Sequence, residues 1–390
     1  ALGGALISAD RNGDLAGGFT IAAPRVAGRL RAGEPVTLSA RAIRGHFTGS
    51  RQDMQLNIEA NTPDIAFDLS ETRRVSLTLG ALTAHAQLGR DWHVAGGFER
   101  GALLDPSLPG DVSAIAGTWS AAQEDGAFVV RVAAGEALVV ANRPASETER
   151  LLFNPVRLAD VNAIFRGGAV TAEGAVLQES SRRALARFTA QHDLGQGQGS
   201  TRIVADTLHF DANLQPYDLT ERLRGLVENV RGDVNAVARV SWDRQDIAAT
   251  GRVHLDGVSL AAATIPIIED VRGDIAFDDL FALTTPPGQS VTIGLIDPGV
   301  AARDGRVQFQ LLGDQRVAIE RAEFAYAMGV LSLAPATITL GAEETQFELV
   351  LSNVDATDLI KSLNLPDLAA TGRLEGRFPL LLSRRAALVR

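Results

Sequence analysis

The chain has 390 residues, and 46% of them are hydrophobic, which is enough apolar material for a sizeable core. Its formal net charge of −10 excludes a typical nucleic-acid-binding protein, because such proteins carry an excess of basic charge on their surface. There is no cysteine, so disulfides, thiolate zinc sites and cysteine nucleophiles are excluded together.

Short apolar runs separated by turn residues fill the first half of the chain. Asn12-Gly13 is a strong two-residue hairpin signal. Between residues 54 and 90 three runs alternate apolar with polar residues, as in an all-β array. Their apolar members are Leu56 and Ile58, then Ile65, Phe67 and Leu69, then Val75, Leu77 and Leu79. Residues 141–150 are polar, and we expect a longer loop there.

A glycine-rich stretch, residues 195–200, could hold phosphate if it joined a strand to a helix. The run that follows it, residues 202–208, has the apolar and β-branched composition of a strand. The spacing of the glycines also differs from the common nucleotide-binding fingerprints. The stretch is therefore interpreted as a turn.

Two short helices are predicted in the second half of the chain. Residues 216–230 place leucine and valine at helical spacing, with Asp218 as N-cap and Glu221 completing a capping box. The second helix covers residues 355–363 and is capped by Asp355. The first could pack on a sheet or close its open side.

From Asp278 to Leu382 the chain alternates apolar and polar residues in five successive runs. A period of two predicts strands with one dry face and one wet face. A dry face of this size must be covered by protein or by lipid. The residues predicted to line it and to bind lipid are Val307, Phe309, Leu311, Val317, Ile319, Ile338, Leu340, Phe347, Leu349, Leu351, Leu374 and Phe378.

Several turns and strands of this region resemble one known family. They are residues 281–289 (FALTTPPGQ), 296–299 (IDPG), 304–309 (DGRVQF), and 370–376 (ATGRLEG) followed by Phe378-Pro-Leu380. This order of segments resembles the YdbH family, a branch of the AsmA-like bridge proteins of Gram-negative envelopes. The match is good over residues 240–382 and loose before them. The resemblance implies a long open β-groove that carries phospholipid between the inner and outer membranes.

No pattern of catalytic or metal-binding residues is visible. The six histidines form no His-Glu-x-x-His motif, and the nearest pair is His85 and His93. The acidic pairs Asp278-Asp279 and Glu343-Glu344 lie beside turns, where solvated carboxylates are ordinary. Arg182-Arg183 and Arg384-Arg385 could contact anionic headgroups, although solvated arginines explain them as well. We therefore expect neither an enzyme, nor a metal site, nor a cofactor.

The predicted fold is all-β: an elongated, twisted, mainly antiparallel β-groove, or trough, with two short helices. It is divided into groove repeats at residues 1–215, a helical insertion at 216–230, and groove repeats at 231–390. The alternatives are a β-sandwich and a non-catalytic β-solenoid of the structural or adhesin type. We expect a piece of a longer protein. The resemblance implies a location in the periplasm, with an inner-membrane anchor outside this sequence and an outer-membrane protein as a further partner.

Overall fold

The computed structural model describes residues 2–9, 14–29, 35–50, 53–68, 74–89, 92–106, 108–143, 150–262, 265–297, 301–342, 344–362, 367–383 and 387–389. The chain divides into two compact units. Unit 1 contains residues 1–149, 153–203 and 240–247. Unit 2 contains residues 150–152, 204–239 and 248–390.

The protein is all-β, as predicted: 74% of the described residues lie in strands, and the strands are mostly antiparallel. The strands whose residues all lie in unit 1 are β1 Leu2–Ala9, β2 Leu15–Ala22, β3 Arg25–Arg29, β4 Pro35–Ser39, β5 Ala42–Gly49, β6 Met54–Asn61, β7 Asp64–Asp68, β8 Arg74–Thr78, β9 Ala81–Leu88, β10 His93–Leu104, β11 Gly110–Glu124, β12 Ala127–Ala141, β13 Val156–Arg166, β14 Ala169–Gln178 and β15 Ala184–Asp193. The strands β16 Gln198–Phe210, β17 Val227–Trp242 and β18 Ile247–Ala262 contain residues of both units.

Unit 1 starts as two separate rows of paired strands, and both rows end at β10. One row runs β1-β2-β5-β6-β9-β10, and the other runs β3-β4-β7-β8-β10. From β10 onwards each strand pairs with the next in an antiparallel meander up to β15. There are two rows because, from β2 to β9, the chain is interrupted near the middle of each pass across the sheet. Each of these passes therefore contributes one strand to each row.

The interruptions lie side by side across the sheet. Ala23 and Thr62 occupy breaks between strands, and Arg100, Ala114 and Asp160 lie within strands, all with positive φ. Backbone hydrogen bonds continue through the breaks: the Ala23 amide donates to the Arg41 carbonyl at 3.0 Å, and the Thr62 amide donates to the Gly80 carbonyl at 3.1 Å. Irregularities of this kind bend a strand and increase its twist. We call this row of interruptions the kink line.

The apolar alternation shifts by one residue at the kink line. In β12, Val132 and Ala134 precede Gly135, while Ala137 and Val139 follow it. Ala134 and Ala137 are both buried although they are three residues apart. In a regular strand, residues three apart would point to opposite faces. The shift therefore lets β12 bend while its apolar residues stay on one side.

Unit 2 continues with β19 Ile265–Phe277, β20 Gln289–Asp297, β21 Ala302–Gly313, β22 Arg316–Tyr326, β23 Gly329–Leu333, β24 Ala336–Thr339, β25 Glu344–Asp355, β26 Arg373–Ser383 and β27 Ala387–Val389. From β18 to β22 each strand pairs with the next. Then β22 pairs with both β23 and β24, and β23 leads through β25 and β26 to β27. All these pairings are antiparallel.

Of the two predicted helices, the second is confirmed and the first is wrong. Helix α1 covers Ala356–Ser362, and the Asp355 carboxylate accepts a bond from the Asp358 amide at 3.1 Å. Residues 216–230 instead form two single 3-10 turns, Pro216–Asp218 and Glu221–Leu223, followed by β17 from Val227. Gly225 has φ 78, which ends helical geometry there, and so few residues remain that an α-helix would be marginal.

The predicted glycine-rich turn is confirmed, because a turn covers residues 194–197 and β16 begins at Gln198. Other predictions concern residues outside the described ones. These are the Asn12-Gly13 hairpin, residues 144–149 of the expected loop, Glu343, and Arg384-Arg385. The proposed three-part division of the chain stays a prediction.

The loop between β19 and β20 is fixed by one fully buried threonine. The Thr285 hydroxyl accepts a bond from the Leu311 amide at 2.9 Å, and its backbone amide donates to the Leu311 carbonyl at 3.1 Å. Its carbonyl also accepts from the Gln310 amide group at 3.1 Å. The loop thereby extends the ladder along the edge of β21.

We predict that Thr285→Val destabilises unit 2 by about 2 kcal/mol, because the Leu311 amide loses its acceptor without a substitute. Thr285→Ser keeps the hydroxyl and loses one methyl group, so it should cost only about 1 kcal/mol. Chemical denaturation measures both. A valine variant at least as stable as the serine variant would contradict this role for the hydroxyl.

Candidate functional site

All of the predicted lining residues except Leu340 lie on one apolar face in unit 2, which we call the unit 2 dry face. Phe309 on β21 pairs with Ile319 on β22, and Leu349 on β25 pairs with Phe378 on β26. Directly opposed residues of an antiparallel pair share a face. Other pairs that involve predicted residues are Leu311 with Val317, Val317 with Ile338, Leu351 with Leu331, and Leu374 with Val354.

The other predicted residues lie beside these pairs. Val307 and Phe347 lie two positions along the strand from Phe309 and Leu349, which places them on the same face. Leu340 differs, because it lies in the turn that follows β24. It is tied there by its amide, which donates to the Gln315 carbonyl at 2.8 Å.

Sequence reasoning missed several members of this face. Val307 pairs with Ala322, which pairs with Leu333, and Leu333 pairs with Leu349. Phe324 pairs with Leu331 on the same side of the sheet. The two-residue spacing of Leu331 and Leu333 was a usable signal, but β23 has only five residues and so gives a short pattern.

The unit 2 dry face is only partly covered. Val317 and Leu351 are buried, whereas Leu374 is 39% exposed and Phe378 is 38% exposed. Most of the remaining predicted residues are half-buried. A sandwich interior would be covered by a second sheet, so large apolar side chains this exposed indicate an open face.

The opposite face of the same strands is mostly polar. Gln308 pairs with Arg321, and Arg321 is 2.7 Å from the Glu323 carboxylate. On the outer strands, Arg377 lies 3.6 Å from Glu348. Val350 is an apolar exception on this wet face, directly opposite Arg377. The predicted division into a dry and a wet side therefore agrees with the register.

Unit 1 has a dry face of its own, which the sequence prediction did not assign to a site. Its buried centre is formed by Leu79, Phe98 and Ala134. Partly buried side chains from neighbouring strands pack against it: Leu77, Leu82, Ile115, Trp119, Val132 and Val161. Leu77 lies on β8 and Leu82 on β9, so this cluster spans the kink line. Both sides of the line therefore contribute to one apolar surface, the unit 1 dry face.

A continuous apolar row crosses eight strands of unit 1. Paired through the register are Val26, Leu38, Ile65, Leu77, Leu103, Val112, Val139 and Val156. Val26 is 60% exposed and Leu38 is 46% exposed at the start of the row. Here too the apolar surface is open to solvent.

Ion pairs hold the wet face of unit 1. Glu136 on β12 accepts from Arg182 at 2.8 Å and from Arg157 at 3.1 Å. The hydrogen bond from Arg182 is the largest effect, and with Arg157 it lowers the pKa of the Glu136 carboxyl. Arg131 lowers the pKa of the Glu124 carboxyl in the same way. These paired charges keep one side of the sheet hydrated.

The histidines that contact carboxylates in the described part of the chain lie in exposed pairs. His209 contacts Asp233 at 2.6 Å, and His254 contacts Asp274 at 3.1 Å, both as exposed pairs. Among the described residues, no group of three histidine, aspartate or glutamate side chains is placed to hold a metal ion.

The connection between β16 and β17, residues 211–226, reaches distant parts of unit 2. The Arg222 guanidinium donates to the Phe281 carbonyl, and a Cβ at Gly341 would lie 3.5 Å from Leu226. Gln215 is buried and holds the connection with a bond to the Val230 carbonyl at 2.8 Å. Phe281 follows β19 and Gly341 follows β24, so the connection spans several strands.

Comparison with known families decides the identity of the chain. Residues 4–390 match the YdbH-like family, described as "Intermembrane phospholipid transport protein YdbH". The chain belongs to the YdbH-like family. The match covers both units, so the resemblance noted for residues 240–382 extends to almost the whole chain. This family is one of phospholipid transport proteins rather than a known class of enzymes.

No curated protein and no solved structure matches the chain. Within the part of the chain that the structure describes, there is no helix with the length and apolar character of a membrane span.

Because the native sequence has no cysteine, single-cysteine variants can test whether the dry faces are open. We predict that Leu38→Cys and Phe378→Cys react with a water-soluble maleimide in the folded protein. Val258→Cys should react at least about tenfold more slowly, because Val258 is 1% exposed and its thiol is reached only through opening of the fold. Equal protection of all three thiols would show that the dry faces are covered.

Proposed function

We propose that the dry faces of both units bind the acyl chains of phospholipids and carry them as a groove. The headgroups stay in water beside the open side of the sheet. Members of the YdbH-like family are intermembrane phospholipid transport proteins, and the groove explains how such a protein does its work. The observation that carries the proposal is an apolar sheet face that is continuous in register and still partly exposed.

The energetic need for such a groove follows from the hydrophobic effect. Burial of each methylene is worth about 0.8 kcal/mol, so exposing a 16-carbon chain costs about 12 kcal/mol. A lipid that crosses an aqueous gap without cover meets this barrier in full. A groove with an apolar floor keeps the chain dry throughout, and each step along the floor exchanges one apolar contact for a similar one.

The alternative folds are less compatible with this geometry. A β-sandwich would bury its inner faces, whereas Val26, Leu38 and Phe378 remain well exposed. In a solenoid of parallel rungs, successive strands would pair in parallel, whereas each pairing described above is antiparallel. An adhesin or scaffold would also have no use for an exposed apolar floor.

Membership in the family supports a location in the periplasm of a Gram-negative envelope. There the groove would receive phospholipid at one membrane and release it at the other. We place an inner-membrane anchor outside this sequence and an outer-membrane protein at the far end of the path. The partners of this chain are then phospholipids and two membranes, with no nucleic acid and no cofactor.

We predict that Leu349→Asp reduces the phospholipid that co-purifies with the protein by at least about fivefold, because a carboxylate on the floor is incompatible with an apolar chain. The matched control is Val350→Asp, which introduces the same carboxylate one residue away on the wet face, opposite Arg377. This control should retain its lipid. Mass spectrometry of the lipid extract measures both.

Both variants should remain folded, with a loss of about 1–2 kcal/mol, since a carboxylate on an open face stays hydrated. Circular dichroism through a thermal ramp checks this. Global unfolding of Leu349→Asp alone would favour a closed interior. Equal lipid loss in both variants would contradict a binding surface on the dry face.

A further inference from the structure

Bulky rings on the dry faces lie over glycines of the neighbouring strand. Each pair joins an aromatic residue to a glycine that leaves room for it. The pairs are Phe19 over Gly45, Phe188 over Gly174 and Trp242 over Gly199 in unit 1, and Phe324 over Gly305 in unit 2. The register pairs Phe19 with Gly45 and Phe188 with Gly174 directly.

Space, not backbone conformation, requires glycine at these positions. None of the four glycines has a positive φ. A Cβ at Gly305 would lie 2.1 Å from a ring carbon of Phe324, and one at Gly45 would lie 2.2 Å from the Phe19 ring. At Gly199 and Gly174 the corresponding distances to the rings are 2.5 and 2.8 Å. Real side-chain contacts do not reach these distances, so any larger residue would displace the ring.

The tryptophans show which way the rings point. The Trp242 indole donates to His192 Nδ1 at 3.1 Å and stacks on the His192 ring with centroids 6.1 Å apart. Trp119 on β11 donates to the Thr83 carbonyl on β9 at 3.1 Å, so its indole crosses the intervening strand β10 at Gly96, its register partner. These rings lie along the sheet, whereas strand side chains ordinarily stand roughly perpendicular to it.

We infer that the four glycines Gly45, Gly174, Gly199 and Gly305 are positioning residues that keep the groove open. Each lets a large ring lie flat as floor rather than stand in the path of an acyl chain. The inference rests on the proposed function, since only a moving apolar ligand needs free height above the floor. The four glycines thus set the free height above the floor, although they do not contact lipid themselves.

Phe324 and Gly305 provide the cleanest test, with a photo-crosslinking residue at Leu331, the register partner of Phe324 on β23. Gly305→Ala should raise the Phe324 ring and lower phospholipid capture by about fivefold or more, as expected of an overpacked site. The double variant Gly305→Ala/Phe324→Ala should restore capture. Gly135→Ala is the control, because Gly135 has no positive φ and nothing lies within 4 Å of a Cβ built there.

Thermal stability of the same proteins separates positioning from mere structural support. The double variant should melt below the parent protein, because it lacks a buried ring, and yet capture more phospholipid than Gly305→Ala. Capture that follows melting temperature across the set, or unchanged capture in Gly305→Ala, would overturn the inference and leave the proposed function standing. Absence of capture in the parent protein would overturn both.

Discussion

The structure depends on one constraint: a strand must bend and still keep its apolar residues on one side. A regular strand that simply continues past a bend keeps strict alternation, and a one-residue slip moves its apolar set to the other face. At the kink line β12 makes that slip on either side of Gly135, and neighbouring strands are irregular there too, with Asp160 of β13 held at positive φ. The irregular backbone would turn the following residues to the other face, and the one-residue shift in the apolar pattern compensates for it. Leu77 and Leu82 therefore pack in one cluster across the kink line.

The proposed function follows from this constraint. Ion pairs such as those of Glu136 keep the wet face in water, while the dry faces present aliphatic side chains and flattened rings. A protein that only shields a ligand needs weak, repeated contacts, because a tight site would hold the lipid in place. The aliphatic and alanine-rich composition, with only 5% aromatic residues, suits such a surface.

Much of the fold was visible in the sequence because strand alternation is a strong local signal. The pattern around Phe309 and Leu349 placed the unit 2 dry face correctly, and Asp355 marked the start of α1. The predicted helix at residues 216–230 failed because Leu226 and Val230 have helical spacing but belong to the end of a connection and a strand. The kink line and the ring–glycine pairs depend on which strands are neighbours, and a single sequence does not contain that information. Even so, the shift in alternation on either side of Gly135 is a local sign of the kink.

The most direct measurement is photo-crosslinking of phospholipid from two adjacent positions on β21. Phe309 lies on the unit 2 dry face, opposite Ile319, and Gln308 lies on the wet face, opposite Arg321. With a photo-reactive residue at each position in turn, the account predicts that position 309 captures phospholipid through its acyl chain and that position 308 does not. Equal capture at both positions, or none at either, would contradict the claim that this face carries lipid.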